Sequence, residues 1–258
     1  MVSFFTDAAW FSVLFAMMMR VKGLETGGSV AAIPPAHTEA AVDKRVHAIL
    51  AALNLPDEAT VIQVQNILLG HLNNLEAWHE LHDREIKPLW NQFNKAHGKG
   101  MDKEAQAALV KIDQAYGSLK AEHEAFLQKL SQVLSSSQVE TVKDVLTVYK
   151  VRVTDHAYGQ IFHGLTPGQN AFILDRLKAA REQAMDAGAM AEKSAFFKKY
   201  KVQIEAYLTA QGYDVKKAYK DFVAGQKADL QGGKPATEAK AMHGQGEIPP
   251  VSKTGGQP

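Results

Sequence analysis

Cysteine is absent from the 258-residue chain. That excludes disulfides, thiolate metal ligands and cysteine nucleophiles together. It leaves the compartment open, because exported proteins often lack cysteine too. An excess of charge is lacking as well. Lys and Arg number 29, Asp and Glu 28, and the net charge is +1. A chain this neutral has no overall field to hold a polyanion, so nucleic acid is not an expected partner. No segment sustains an alternation of apolar and polar residues between turn signals, so no sheet is expected. No catalytic motif of known mechanism is present, and neither a metal nor another cofactor is expected.

Long apolar runs are missing too. The longest stretch, Ala8 to Met19, has 12 residues, short of the roughly 20 that span a bilayer. Its length suits the core of a signal peptide, and Ser29-Val30-Ala31-Ala32 offers small residues for cleavage. The flanks fit less well: no Lys or Arg precedes the run, Asp7 does, and Arg20 and Lys22 follow it. The expectation is an exported protein, periplasmic or extracellular, with 1–36 as export segment and linker and no stable membrane span after its removal. The alternative is a structural or mis-started N-terminus.

What is present is helix chemistry. With 46% hydrophobic and 22% charged residues, the balance is that of a globular chain with a real core. Thr38 is placed to cap a first helix whose apolar positions are Val42, Val46, Ile49 and Leu53. Pro56 suits the first turn of a second helix, which should end or kink near Pro88. A third is expected from about Asp102 to Val133. Ser135 with Gln138, and Thr166 with Gln169, have the spacing of capping boxes, each preceded by a leucine placed as a staple. They should start helices over about 138–160 and 167–185. Further helices are expected over about 191–210 and 215–224. The fold class is therefore all-α, a bundle of about six or seven helices spanning 38–224. Residues 225–258, rich in Gly and Pro and poor in large apolar groups, should form a disordered tail.

Several constellations could carry chemistry. The second helix has a seam at Val61, Val64, Leu68, Leu72, Leu75, His79, His82, Ile86 and Leu89. The third has Leu109, Ile112, Tyr116, Leu119, His123, Phe126, Leu130 and Val133. If the two pack as an antiparallel hairpin, His79, His82 and His123 share one polar layer, with Asp83, Glu122 and Glu124 nearby. That layer is either a ligand site or a set of satisfied histidines. Tyr149, Arg152, Thr154, Asp155, His156 and Tyr158 make 138–160 more polar than a core helix needs. Aromatic rings beside carboxylates and amides suit carbohydrate, but a half-exposed bundle helix reads the same way. Glu182 and Asp186 are more simply surface partners of Arg181 or Lys193 than a glycosidase pair. Phe197, Tyr200, Ile204, Tyr207 and Leu208 form a core stripe. Lys198, Lys199 and Lys201 read as a solvated face that could also hold acidic sugars.

The stretch LTPGQNAFILDRLKAAREQAMDAG, followed by EKSAFFKKYKVQIEAYLTAQGYDVKKA, resembles the C-terminal half of a bacterial domain family of unknown function. The matching elements are Leu165-Thr166 with Gln169, AREQAMDAG, the Phe197, Lys199, Tyr200, Lys201 cluster, Ile204, Tyr207-Leu208 and Gly212-Tyr213-Asp214. Upstream, His79 with Asp83, His123 with Phe126-Leu127, and Thr154 with Tyr158 fit its earlier helices. The resemblance covers roughly 40–222, and His82 and Lys198 stand outside its pattern. It implies a secreted, all-helical accessory protein of the kind encoded near polysaccharide-degradation genes and described as sugar-binding.

Residues and resemblance together nominate His79, Asp83, His123, Thr154, His156, Tyr158, Arg181, Lys199 and Tyr200 as ligand-binding, with no catalytic residue named. The leading expectation is a non-catalytic binder of oligosaccharide or polysaccharide. The alternatives are a periplasmic helical chaperone, which would expose a broad apolar cradle, and an enzyme acting on acidic sugars, which would need a deep pocket. The LTxxQ pieces also resemble helical stress chaperones, though the capping box explains them by itself.

Overall fold

A computed structural model describes residues 39–98 and 102–232. The proposed export segment, Thr38 and most of the proposed tail lie outside these residues. Within them the chain forms α1 (Glu39–Leu53), α2 (Glu58–Gly98), α3 (Asp102–Tyr116), a 3-10 turn (Gly117–Leu119), α4 (Lys120–Val133), α5 (Ser136–Leu146), α6 (Lys150–Ile161), α7 (Pro167–Met185), α8 (Met190–Ala210) and α9 (Val215–Gly232). No strand occurs among the described residues. None of these helices is long and apolar enough to cross a membrane.

Both capping boxes form. Ser135 N donates to Gln138 Oε1 at 3.0 Å and Thr166 N to Gln169 Oε1 at 2.8 Å, while each hydroxyl accepts from the glutamine's amide. These reciprocal bonds fix the starts of α5 and α7.

Four helix limits differ from those expected. α2 continues through Pro88 to Gly98. Pro88 removes one backbone donor, but Ile86, Trp90 and Phe93 on either side of it are all buried, and this burial holds the helix together. The expected Asp102–Val133 helix breaks at Gly117-Ser118, where Ser118 Oγ donates to the Ala115 carbonyl at 2.8 Å and accepts from Trp78 Nε1 at 2.9 Å. The expected 138–160 helix is split by Thr147, Val148 and Tyr149. Val148 and Tyr149 adopt φ +49° and +55°, a strained conformation for such side chains. Thr147, fully buried, turns its hydroxyl back onto the Lys143 carbonyl at 2.8 Å. Finally, α9 runs to Gly232, beyond the expected end at 224.

The apolar faces fill two cores. One joins α1, the first half of α2, α4 and α5 around Val46, Ile49, Leu68, Phe126, Leu130 and Val142. The other joins the second half of α2 with α3 and α6 to α8 around Trp90, Phe93, Ile112, Tyr158, Ile173, Phe196 and Ile204. Met185, at the end of α7, belongs to the first core although most of α7 packs in the second. The elbow between α7 and α8 therefore sits at the junction.

Candidate functional site

Helix ends leave backbone groups without partners, and a buried elbow must supply them. Lys193 Nζ donates to the carbonyls of Ala184 (2.9 Å) and Met185 (3.4 Å). His79 Nε2 donates to the carbonyl of Asp186 at 2.8 Å. On the α8 side, Glu192 Oε2 accepts from the amides of Gly188 (3.1 Å) and Ala189 (3.2 Å), and from the Tyr116 hydroxyl at 3.4 Å. Ala189 has no side-chain oxygen, so this is half of a capping box. Gly188 packs flat on His79: a Cβ there would lie 3.1 Å from three of its ring atoms. Burial pushes the Lys193 amine down to about 7, and the nearby Arg45 charge adds to the effect. Burial and the Glu192 carboxylate push the Tyr116 hydroxyl well up.

Three imidazoles meet at this elbow, though not the three expected. Both nitrogens of His79 are engaged, since Nδ1 lies 2.9 Å from Asp83 Oδ1. Burial acts to raise the Asp83 carboxyl, but the hydrogen bonds from Lys87 and His79 outweigh it and hold the group below its ordinary value. His123 Nδ1 lies 3.0 Å from Asp186 Oδ2, and its Nε2 lies 3.5 Å from Glu182 Oε2. The hydrogen bond to Asp186, then that to Glu182, raises His123 to about 9. His71 is the third. It stacks on Phe126 with ring centroids 3.7 Å apart, and its nitrogens stand 3.7 Å from Glu122 and 4.0 Å from Asp186. Neither makes a hydrogen bond, and burial lowers the ring to about 4. His82, expected in the layer, instead donates to the Trp78 carbonyl of its own helix at 2.8 Å and stacks on that indole.

Glu182 does lie 3.5 Å from Arg181, the pairing expected, but Asp186 is not at the surface. Asp186 is buried against His123. Glu182 takes Lys143 Nζ at 2.9 Å as well as His123. Burial opposes its ionisation, but these two partners prevail and bring its carboxyl down to about 2. Arg181 is buried too, reaching Asp144 and Glu140 on α5 at 2.6 Å each. Arg181, Glu182, Asp186 and Gly188 all belong to AREQAMDAG, one of the stretches that carry the family resemblance. That stretch builds a clasp joining α2, α4, α5, α7 and α8. Among the described residues, no group of three or more His, Asp or Glu side chains is arranged to hold a metal ion. A cavity of about 20 Å³ beside Lys193 gives little room for an organic ligand.

The remaining nominated residues are dispersed. Thr154 and Tyr158 are buried in the second core, and His156 is exposed on α6. Lys199 reaches Asp113 at 2.6 Å and Gln183 at 3.2 Å, so it is tied down rather than solvated. Lys198 lies over the Phe93 ring and Lys201 over Tyr219. Tyr200 is half-buried beside Lys199. Tyr158 and His156 lie on α6, and Lys199 and Tyr200 on α8.

A larger opening lies elsewhere, between the end of α6 and α9. It is an open groove of about 530 Å³. Tyr213 and Phe222 supply its aromatic surface, Phe162 borders it from the core, and Gln160, His163, Asp214, Lys217 and Asp221 supply polar groups. The turn before α9 aims these residues. Gly212 takes φ +90°, open to glycine without strain. Asp214 Oδ1 caps α9 by accepting from Lys217 N at 2.9 Å. The Tyr213 hydroxyl lies 3.2 Å from Gln169 Oε1, and its ring meets Phe162 edge-on. Sequence reasoning nominated none of the groove residues as ligand-binding; the available signal was Gly212-Tyr213-Asp214, a turn followed by a cap.

No curated protein matches the chain. The model of one family, described as protein of unknown function (DUF3826), matches residues 39–228. That match spans most of the sequence, including the whole clasp and the groove, and the chain belongs to the DUF3826 family.

Proposed function

We propose that the protein is a non-catalytic carbohydrate-binding accessory protein whose ligand lies in the groove between α6 and α9. The observation that carries this reading is the groove itself. Its volume of about 530 Å³ falls in the range of small-molecule sites, roughly 300–1,000 Å³. Its rings can cover the apolar face of a pyranose while its amides, imidazole and carboxylates meet hydroxyls. The clasp offers no comparable opening. The groove carries Asp214 and Asp221 against Lys217, a balance that favours neutral sugars over uronic acids. Large exposed apolar residues such as Ile62, Leu81, Val110 and Met190 are spread over α2, α3 and α8, which gives no support to a chaperone cradle. Export through the Ala8–Met19 segment is part of the proposal, and N-terminal sequencing of protein recovered outside the cytoplasm tests it.

The binding test is a glycan-array screen followed by calorimetric titration of the best neutral oligosaccharide. Phe222→Ala and Tyr213→Ala should each weaken binding about tenfold, equivalent to about 1.4 kcal/mol. If no glycan binds, or neither variant weakens the binding found, the proposal fails.

A further inference from the structure

The cavity beside Lys193 is lined by α1, α2, the end of α5 and the α7–α8 elbow. Its polar lining is Arg45, Glu76, His79 and Lys193, and its remaining wall includes Leu75 and Met185. About 20 Å³ is available, where one water needs roughly 10–15 Å³. The occupant is thus a single small molecule or ion.

The donors decide which. An ammonium group has three hydrogens, and Lys193 spends two on the carbonyls of Ala184 and Met185. The third needs an acceptor, because a buried unsatisfied donor costs about 1–3 kcal/mol. Both nitrogens of His79 are already committed to Asp83 and Asp186, so neither is available to that third hydrogen. A cation is excluded by Arg45 and Lys193 in the same wall. An anion would face the Glu76 carboxylate, also in that wall. An apolar guest would strand the charged groups. What fits walls of both signs is a neutral molecule that accepts on one side and donates on the other.

We infer that this cavity is a one-water site in which the water accepts from Lys193 and donates to Glu76, tying α2 to the α7–α8 elbow. The Lys193 amine, pushed down to about 7 by burial and then by Arg45, can lose its charge near neutrality, and water can turn to suit either form. An anion could not. The site is independent of the sugar groove, so the two readings succeed or fail separately.

The test uses the intact wild-type protein, crystallised with and without bromide at a resolution that shows ordered water, together with water-to-amide NMR cross-relaxation at Gly188. The expected result is one peak about 2.8–3.0 Å from Lys193 Nζ in both crystals, with no anomalous bromide signal in the cavity. The Gly188 amide should show a long-lived water contact, and Lys193→Met should abolish it. A bromide peak, an empty cavity, or Glu76 bonded directly to Lys193 Nζ would each overturn the inference. Should Lys193→Met fail to fold, the wild-type peaks decide alone.

Discussion

Replacing Asp186 with Asn keeps the side chain's shape and removes its charge. In the native protein His123 is raised from 6.5 to about 9, with Asp186 the first cause and Glu182 the second. At about 1.4 kcal/mol per pH unit, the whole rise corresponds to at most roughly 3 kcal/mol. Glu182 shares that effect and is a third exposed, so solvent screening reduces it. About 1–2 kcal/mol remains for Asp186. Because the folded value is raised, this contribution is fully present below pH 6.5 and disappears as pH rises through 9. Urea unfolding of the intact chain should find Asp186→Asn less stable by about 1–2 kcal/mol at pH 6. The gap should close by pH 10, where His123 is neutral in both proteins. A gap unchanged between pH 6 and 10, or no gap at pH 6, would refute the assignment of Asp186 as the partner that charges His123.

Other outcomes follow from the same geometry. Gly188→Ala puts a methyl 3.1 Å from the His79 ring, which is pinned at both nitrogens, and should cost about 1–3 kcal/mol; a thermal midpoint within a degree of wild type would contradict this. Glu182, brought down from 4.5 to about 2, contributes stability that is present above pH 4.5 and lost as pH falls through 2. Glu182→Gln should therefore flatten the acid limb of the stability curve, and an unchanged limb would count against the pairing. Arg181→Met leaves Glu140 and Asp144, which are partly open to water, and should cost about 1–3 kcal/mol, less than the 3–5 kcal/mol of a fully buried pair; chemical unfolding decides between the two.

The helices themselves were legible in the sequence because apolar spacing and capping chemistry are local signals. Thr166 with Gln169 marks the start of α7 to the residue, and Ser135 with Gln138 places that of α5 within two residues. The breaks were less legible. Gly117 and Thr147-Val148 look tolerable inside a helical period, and only the packing around Trp78 and the buried Thr147 turns them into corners. His71 was readable and overlooked: it stands three residues after Leu68 and eight before His79, on the seam. Asp186 was misassigned because its role depends on a distant pairing. Nothing within the sequence of α7 says that the loop after it will be buried against α2 and α4. The groove was hidden for the same reason, since Phe162 and Phe222 are 60 residues apart and line one groove only when α9 folds back on α6. Lys199 looked solvated because Asp113, its partner, lies on another helix.

The proposed function turns on where a sugar would sit. The most direct measurement is an amide chemical-shift titration of the isotopically labelled, intact protein with the best-binding neutral oligosaccharide. The largest changes should fall on residues 160–163 and 213–226, with little change at 182–193. Changes centred on the histidine clasp instead, or none at saturating sugar, would contradict a groove-bound carbohydrate.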